Sequence, residues 1–317
     1  MSDKRVELVE PSESLNIIRA THDFIHAWLE RERLNGQADK TIQAYRRGIK
    51  RFTKWLLENG VNNPEPRDIA RFRADLADTY SSQTVNLSLS AVRSFYRYLV
   101  EVGAIPFSIA SDIKGVKRPK SKTHKRSELS GSEVLDVLAT CDNSVAGIRD
   151  RAIITLMAYC GLRTIEVYRA NVKDLKTHNN RMILDVWGKG RTEPDESVII
   201  PRDQERVIRA WLTERAKFGN GEQALFVSLS NRSQGERLSA RAIRGAIKER
   251  YKEAGIISET KTTHSLRHSA ITSAIRGGAT LLQVQAMARH ASSDTTLGYI
   301  HEVSRLESPA EDLINYS

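Results

Sequence analysis

Three features of the sequence predict a mainly α-helical chain with a small β-sheet, divided into a helical N-terminal domain and a mixed α/β C-terminal domain. Over the first hundred residues, apolar side chains recur three and four apart, the repeat of helices that bury one face. Two short apolar runs, Met182–Trp187 and Ser197–Pro201, flank Gly188-Lys189-Gly190-Arg191 and read as two strands joined by a turn. Between these regions lies Lys114–Arg126, where seven cations occur without an acid and Pro119 opposes a helix, as in a linker. A length of 317 residues suits about two domains.

The elements follow in order. Residues 1–15 are polar, include Pro11 and read as a flexible lead; 16–110 form the helical domain, 111–127 the basic linker, 128–300 the second domain and 301–317 a tail. Ile18, Phe24, Ile25, Trp28 and Leu29 make the stripe of a first helix, which Gly36 ends. Asp39 or Lys40 opens a second with Tyr45, Ile49, Phe52, Trp55 and Leu56 on one face, closed at Asn59-Gly60. Its other face carries Arg46, Arg47, Lys50, Arg51 and Lys54. Pro64 and Pro66 mark a loop, Asp68 caps a third helix, and Ser81-Ser82-Gln83-Thr84 starts a fourth with Val85, Leu89, Val92, Phe95, Tyr96 and Leu99. Four such helices make a small bundle. In the second domain, Ser130-x-x-Glu133 is a capping signal, Asp150–Tyr159 is an apolar helix, and Arg163 with Glu166 opens another. Gln204–Phe218 is a helix, Ala224–Val227 is short and apolar, and Ser239 caps a basic helix over Ala240–Glu253. The basic helix faces and the linker fit a polyanion; the plain alternative for each is a solvated charged surface.

Composition excludes several classes. Charged residues are 28% and apolar ones 40%, ordinary for globular domains. Forty-nine basic against 39 acidic residues leave +10, which favours a polyanionic partner, nucleic acid or an anionic surface. No run reaches the ~18 apolar residues of a membrane span, and the polar start lacks a signal-peptide core. Cys141 and Cys160 make neither a disulfide framework nor a metal quartet, which predicts a reducing, cytoplasmic setting.

The chemistry gathers between Thr263 and Tyr299. Arg267 can hold two phosphate oxygens through its planar fork. His264, three residues earlier and on the same helix face, and His290 can exchange protons near neutrality. Tyr299 carries a hydroxyl able to attack phosphorus and remain bonded to it; a free tyrosine titrates near about 10, and surrounding cations favour its phenolate. Phosphoryl transfer spreads negative charge over the non-bridging oxygens, so a single arginine is too little without a metal. Arg163, in Gly161-Leu162-Arg163-Thr164-Ile165-Glu166, and Lys189, in the Gly188–Arg191 turn, supply two more cations. Taken one at a time, Arg163 reads as a salt-bridge partner of Glu166, Lys189 as an exposed turn lysine and Tyr299 as packing, with Tyr316 a possible decoy. His264 and His268 stand four apart as in zinc helices, but Ser265 occupies the place of the general-base glutamate, so no metal is assigned.

Gly161-Leu162-Arg163-x-x-Glu166, Gly188-Lys189-Gly190, His264-x-x-Arg267-His268, His290 and Tyr299 nine residues later resemble, in order and spacing, the tyrosine recombinases, which include phage integrases and the Xer-type resolvases. The likeness is close from Arg163 to Tyr299 and loose elsewhere. It implies a four-helix SAM-like core-binding domain and a mixed α/β catalytic domain that close on DNA as a C-shaped clamp. It implies that Arg163 and Arg267 clamp the scissile phosphate, that Lys189 is the general acid for the departing 5′ oxygen, and that His264 contacts the phosphate and shares in proton transfer. His290 supports the phosphate or orients the nucleophile, Tyr299 is the nucleophile, and His268 is a structural neighbour. DNA contacts are expected at Thr41, Arg46, Arg47, Lys50, Arg51, Asn86 and Arg93 in the helical domain, at Lys117, Arg118 and Lys120 in the linker, and at Arg241 and Arg244 in the Ala240–Glu253 helix. The chain departs from the family at Glu193, Asp195 and Glu196, where basic residues are usual, and at Ala288-Arg289-His290, where Leu-Gly-His is common.

The resemblance implies transesterification without ATP, metal or other cofactor. Tyr299 forms a 3′-phosphotyrosyl bond and releases a 5′ hydroxyl, and the hydroxyl of another strand reverses the step. Two pairs of exchanges then pass through a Holliday junction. The partners are a double-stranded core site with inverted half-sites, a dimer on one site and a homo-tetramer on two. The tail, with Leu306, Leu313 and Ile314, docks on the neighbouring subunit or on its own. The short N-terminal part favours a Xer or simple-integrase type over one with an extra arm-binding domain. Two other readings have tests: a type IB topoisomerase would relax supercoils as a monomer without exchanging strands, and a regulator with a relic site would trap no covalent complex on a suicide substrate.

Overall fold

The helical periodicity of the first hundred residues becomes four helices: α1 (Ile17–Leu34), α2 (Asp39–Glu58), α3 (Pro66–Thr79) and α4 (Ser82–Glu101). The computed structural model describes residues 17–117, 127–187, 196–219 and 223–307, with Asp312 and Ile314. The chain divides into two compact units, Met1–Lys120 and Ser121–Ser317.

In the first unit, the apolar stripes of α1, α2 and α4 meet around Trp28, Phe52, Phe95 and Tyr96, and Phe72 of α3 packs edge-on against Phe52. Gly48 sets how closely α2 and α4 approach: a Cβ there would lie 2.7 Å from the Ala91 Cβ and 3.0 Å from the Ser88 Cα. Trp28 Nε1 donates to Ser94 Oγ (3.1 Å), which donates to Glu32 Oε1 (2.9 Å), so this buried polar chain is paired along its length. Asp68 does not cap α3 from outside. Glu65 is the N-cap, Pro66 holds the first helical position, and Asp68 reaches back from the third to accept from Glu65 N. The segment assigned to the linker from 111 stays with this unit through Val116: Ile113 and Val116 pack on its core.

The second unit opens with α5 (Gly131–Ala139), capped by Ser130, and α6 (Val145–Tyr159). α6 begins five residues before Asp150, because Ser144 accepts from Gly147 N and starts the helix there. From Ala152 to Ala158 it is buried all round, as its unbroken apolar sequence requires. α7 (Thr164–Arg169) leads to a three-stranded antiparallel sheet of order β1-β2-β3: β1 (Leu175–His178), β2 (Arg181–Val186) and β3 (Glu196–Ile199). β1 was not foreseen. Only Leu175 of it is even half-buried, so it has no apolar alternation; its signal is Asn179-Asn180, both at positive φ (46° and 56°), which closes a two-residue hairpin pairing His178 with Arg181. β2 buries Met182, Leu184 and Val186.

α8 (Arg202–Ala216) packs Trp211 inside, α9 spans Ala240–Glu253, and three helices follow: α10 (Thr263–Arg276), α11 (Leu281–Ala288) and α12 (Ser293–Glu307). The boundary drawn at 300/301 falls inside α12, so Tyr299 and His301 share one helix.

Candidate active site

Four helix ends bring the motif residues together. α6 stops at Tyr159, and Gly161 turns the chain at φ +63°, a left-handed conformation that glycine adopts without strain. Two residues later, Arg163 becomes the N-cap of α7, with Glu166 reaching back in a capping box. Thr262 caps α10, whose first turns present His264, Arg267 and His268. α11 ends at Arg289, itself left-handed at φ +53°, and the turn delivers His290; α12 carries Tyr299.

Three guanidiniums converge, sharing between them two backbone carbonyls and one carboxylate. Arg267, 1% exposed, donates through Nη1 to Gly161 O and through Nη2 to Ala288 O. Arg163 Nη2 lies 3.5 Å from that same Ala288 O and 3.2 Å from Arg289 O, so the two expected phosphate-clamping arginines stand side by side. Arg289 Nη2 shares Gly161 O with Arg267 (3.1 Å) and also reaches Glu166 Oε2 (2.8 Å). Glu166 in turn accepts from Arg163 Nη1 (2.6 Å) and Arg163 N (2.7 Å). Arg163 is the most open of the three; about a third of its side chain is exposed, against 2% for Arg289.

Beside this cluster runs a string of rings. His264 meets His268 edge-on at 4.8 Å, His268 meets Tyr299 at 5.2 Å, and Tyr299 stacks on His290 at 6.0 Å and 12°. Tyr299 Oη is 2.5 Å from His268 Nδ1, and His290 Nδ1 is 2.9 Å from the buried Thr296 Oγ1. His268, expected as a structural neighbour, therefore contacts the tyrosine hydroxyl directly. The spacing concealed this because His268 directly follows Arg267, and adjacent helical residues point about 100° apart.

The field of the cluster is positive. Burial, and then the charge of Arg163, lower the Arg267 pKa to about 9. Burial, followed by the charges of Arg267, Arg163 and Arg289, lowers His290 to about 4, so this imidazole is neutral at physiological pH. Burial pushes the Glu166 carboxyl up, yet the charge of Arg289, the bond from Arg163 N and the remaining arginine contacts hold it below the ordinary range.

The other site residues fall into three groups. Lys189, with the turn that carries it, lies outside the described residues, as do Arg118 and Lys120. Arg46, Arg47 and Lys50 on α2, Lys117, and Arg241 and Arg244 on α9 are exposed, while Thr41 and Arg51 are half-buried, Arg51 over the Tyr80 ring at 5.1 Å. Asn86 and Arg93 are instead spent on the protein's own backbone. Asn86 Nδ2 donates to Val116 O (2.9 Å) and its Oδ1 accepts from Val116 N (2.8 Å), while Arg93 donates to Ile113 O through Nε (3.1 Å) and Nη2 (2.5 Å). Both were expected to face DNA because they lie off the apolar stripe of α4, but the chain leaving the bundle covers that face. On α9, Arg250 is likewise engaged, with Asp150 and Glu253.

Residues 127–305 match the model of the phage integrase family, and residues 24–103 match that of the phage integrase N-terminal SAM-like domain. The tyrosine recombinase XerD of Lacticaseibacillus casei is 33% identical over 285 residues, 88% of this chain and 92% of that protein. The tyrosine recombinase XerC of Escherichia coli O157:H7 is 29% identical over 268 residues, 82% of this chain and 85% of that one. Among solved structures, the XerH site-specific recombinase in a post-cleavage complex with its palindromic difH substrate superposes with a TM-score of 0.71 at 21% identity, covering 85% of this chain and 79% of that one. A lambda integrase tetramer bound to a Holliday junction gives 0.63 at 18% identity, covering 88% and 76%. The last two speak for the fold.

Proposed function

The chain belongs to the phage integrase family of tyrosine recombinases and is a site-specific recombinase, and from that premise we propose that Arg163, Lys189, His264, Arg267, His290 and Tyr299, joined by His268, cut and rejoin DNA. The observation that carries this is the shared Ala288 carbonyl, which sets the Arg163 and Arg267 guanidiniums next to each other, with His268, the residue after Arg267, meeting Tyr299 Oη. A phosphodiester taking the place of those carbonyls would meet two cations whose donors are already aimed inward, and relieve the cost of burying Arg267.

Tyr299 Oη attacks the phosphorus and gives its proton to His268 Nδ1, and the bond to the 5′ oxygen breaks. Lys189 supplies the proton for that oxygen, a poor leaving group without one. His290 stays neutral: with Thr296 donating to Nδ1, its Nε2–H is a donor for a non-bridging oxygen. His264 contacts the phosphate from the first turn of α10. Rejoining runs the same steps backward with the 5′ hydroxyl of a second strand, so one phosphotyrosyl bond replaces one phosphodiester and no energy source is consumed.

The substrate is a duplex core site with inverted half-sites, bound by a dimer, and two such sites meet in a tetramer, as the lambda integrase tetramer is bound to a Holliday junction. Exposed Arg46, Arg47 and Lys50 of the helical domain hold the phosphate backbone, as do exposed Arg241 and Arg244 of the catalytic domain. No helix among the described residues is long and apolar enough to cross a membrane, and the enzyme acts in the cytoplasm on the nucleoid. Trapping covalent complexes in cells and sequencing their DNA tests the reading: one recurrent inverted-repeat site supports it, and random sequence or no trapped DNA refutes it.

A further inference from the structure

Arg289 sits where the chain turns left-handed at φ +53°, a place that suits glycine. An arginine there is strained for a reason, and its contacts give one. Its guanidinium, almost wholly buried, reaches Glu166 Oε2 (2.8 Å), Gly161 O (3.1 Å) and Met287 O (2.6 Å). Two of those partners, Glu166 and Gly161 O, also serve the catalytic arginines. Glu166 orients Arg163 from both its backbone N and its Nη1, and Gly161 O is shared with Arg267.

A carboxylate in that position carries a cost for phosphate chemistry. Glu166 fixes Arg163, but its negative charge cancels one of the two positive charges that face the phosphate. Buried charges act at short range in low dielectric, so the cancellation is not diluted by water. Arg289 meets Glu166 at Oε2, while Arg163 Nη1 takes Oε1, and restores the balance: three cations against one anion leave the pair of phosphate-facing charges intact. We propose that Arg289 is a positioning residue for strand cleavage, which neutralises Glu166 through its Oε2 so that the carboxylate can aim Arg163 without weakening the positive field at the phosphate. Its charge is also the foremost influence lowering the Glu166 carboxyl, ahead of Arg163, and it contributes to keeping His290 neutral. The Arg289 Nε, buried with no hydrogen-bond partner among the described residues, lies 3.9 Å from Glu196 Oε2 at the start of β3, the strand that follows the Lys189 turn. The same side chain thus stands between the arginine pair and the base of the element bearing the expected general acid.

This rests on the recombinase reading of the site, and the test separates the two. The full-length chain is assayed for single-turnover covalent attachment to its core site, with DNA affinity and thermal stability measured in parallel. If the unaltered protein attaches and Tyr299→Phe does not, the site reading stands whatever Arg289 does. Arg289→Gly, relaxed at this φ, is expected to slow attachment by on the order of tenfold to a hundredfold while DNA affinity changes less than about threefold. Adding Glu166→Gln, which removes the charge that Arg289 offsets, is expected to recover at least about a third of the lost rate. Arg289→Lys keeps the charge and stays within about fivefold of the unaltered rate, which covers the case that the glycine variant folds poorly. The inference is overturned if Arg289→Gly cleaves normally, if Glu166→Gln gives no recovery, or if Arg289→Lys is as slow as the glycine variant.

Discussion

Replacing His268 tests the least expected contact in the site. Its Nδ1 is 2.5 Å from Tyr299 Oη and both side chains are buried, His268 at 6% and Tyr299 at 4% exposure, so no water stands ready to replace it. The proposed mechanism gives this contact two functions: holding the hydroxyl and accepting its proton. A positioned proton acceptor is worth about a hundredfold to ten-thousandfold in rate, roughly 3–5 kcal/mol of barrier. Asparagine places an amide near the position of Nδ1 and can hold the hydroxyl without taking its proton; alanine can do neither. We expect His268→Asn to slow covalent attachment about a hundredfold, and His268→Ala to slow it several times further, with DNA binding unchanged in both. The assay is single-turnover attachment to a nicked substrate whose released fragment diffuses away. An alanine variant within about threefold of the unaltered rate would refute the assignment, since the loss of an essential proton acceptor is far larger.

Asn86→Ala leaves Val116 N and O without their partner, and hydrogen exchange of residues 113–117 is expected to accelerate; altered DNA sequence preference with unchanged exchange would instead make Asn86 a base reader. Gly48→Ala would usually gain ~1 kcal/mol inside a helix, but the 2.7 Å approach to Ala91 reverses the sign. A net loss of about 1–3 kcal/mol in urea titration is expected, and a gain would contradict the close α2–α4 contact. His290 has a folded pKa of about 4 against an ordinary 6.5. The unfolded chain therefore binds the extra proton first, and this group's contribution to stability falls as pH drops through that window. His290→Gln is expected to flatten the pH dependence of stability between those values, and an unchanged slope would refute the shift.

The sequence made some elements plain and concealed others for identifiable reasons. α9 was legible to the residue because Ser239 caps it and its apolar positions keep helical period. The pairing of Arg163 with Arg267 followed from the resemblance that their motifs carry, although 104 residues separate them, and both reach Ala288 O. β1 was hidden because its side chains face solvent, so the period-two signal on which strand reading depends was absent. Asn86 and Arg93 looked like a polar helix face awaiting DNA; no local pattern announces that a distant segment will fold back over them. His268 and Arg289 were missed differently. Each is adjacent to a motif residue, and proximity in sequence drew attention to the neighbour, while their own partners, Tyr299 and Glu166, come from other helices.

Peptide mapping of the covalent adduct probes the nucleophile itself. Protein trapped on a nicked core site is digested with nuclease and protease, and the nucleotide-bearing peptide is sequenced. A single modified residue at Tyr299, inside the α12 peptide, is the predicted result. Nucleotide on Tyr316 or on any other side chain, or adduct persisting in Tyr299→Phe, would contradict the account.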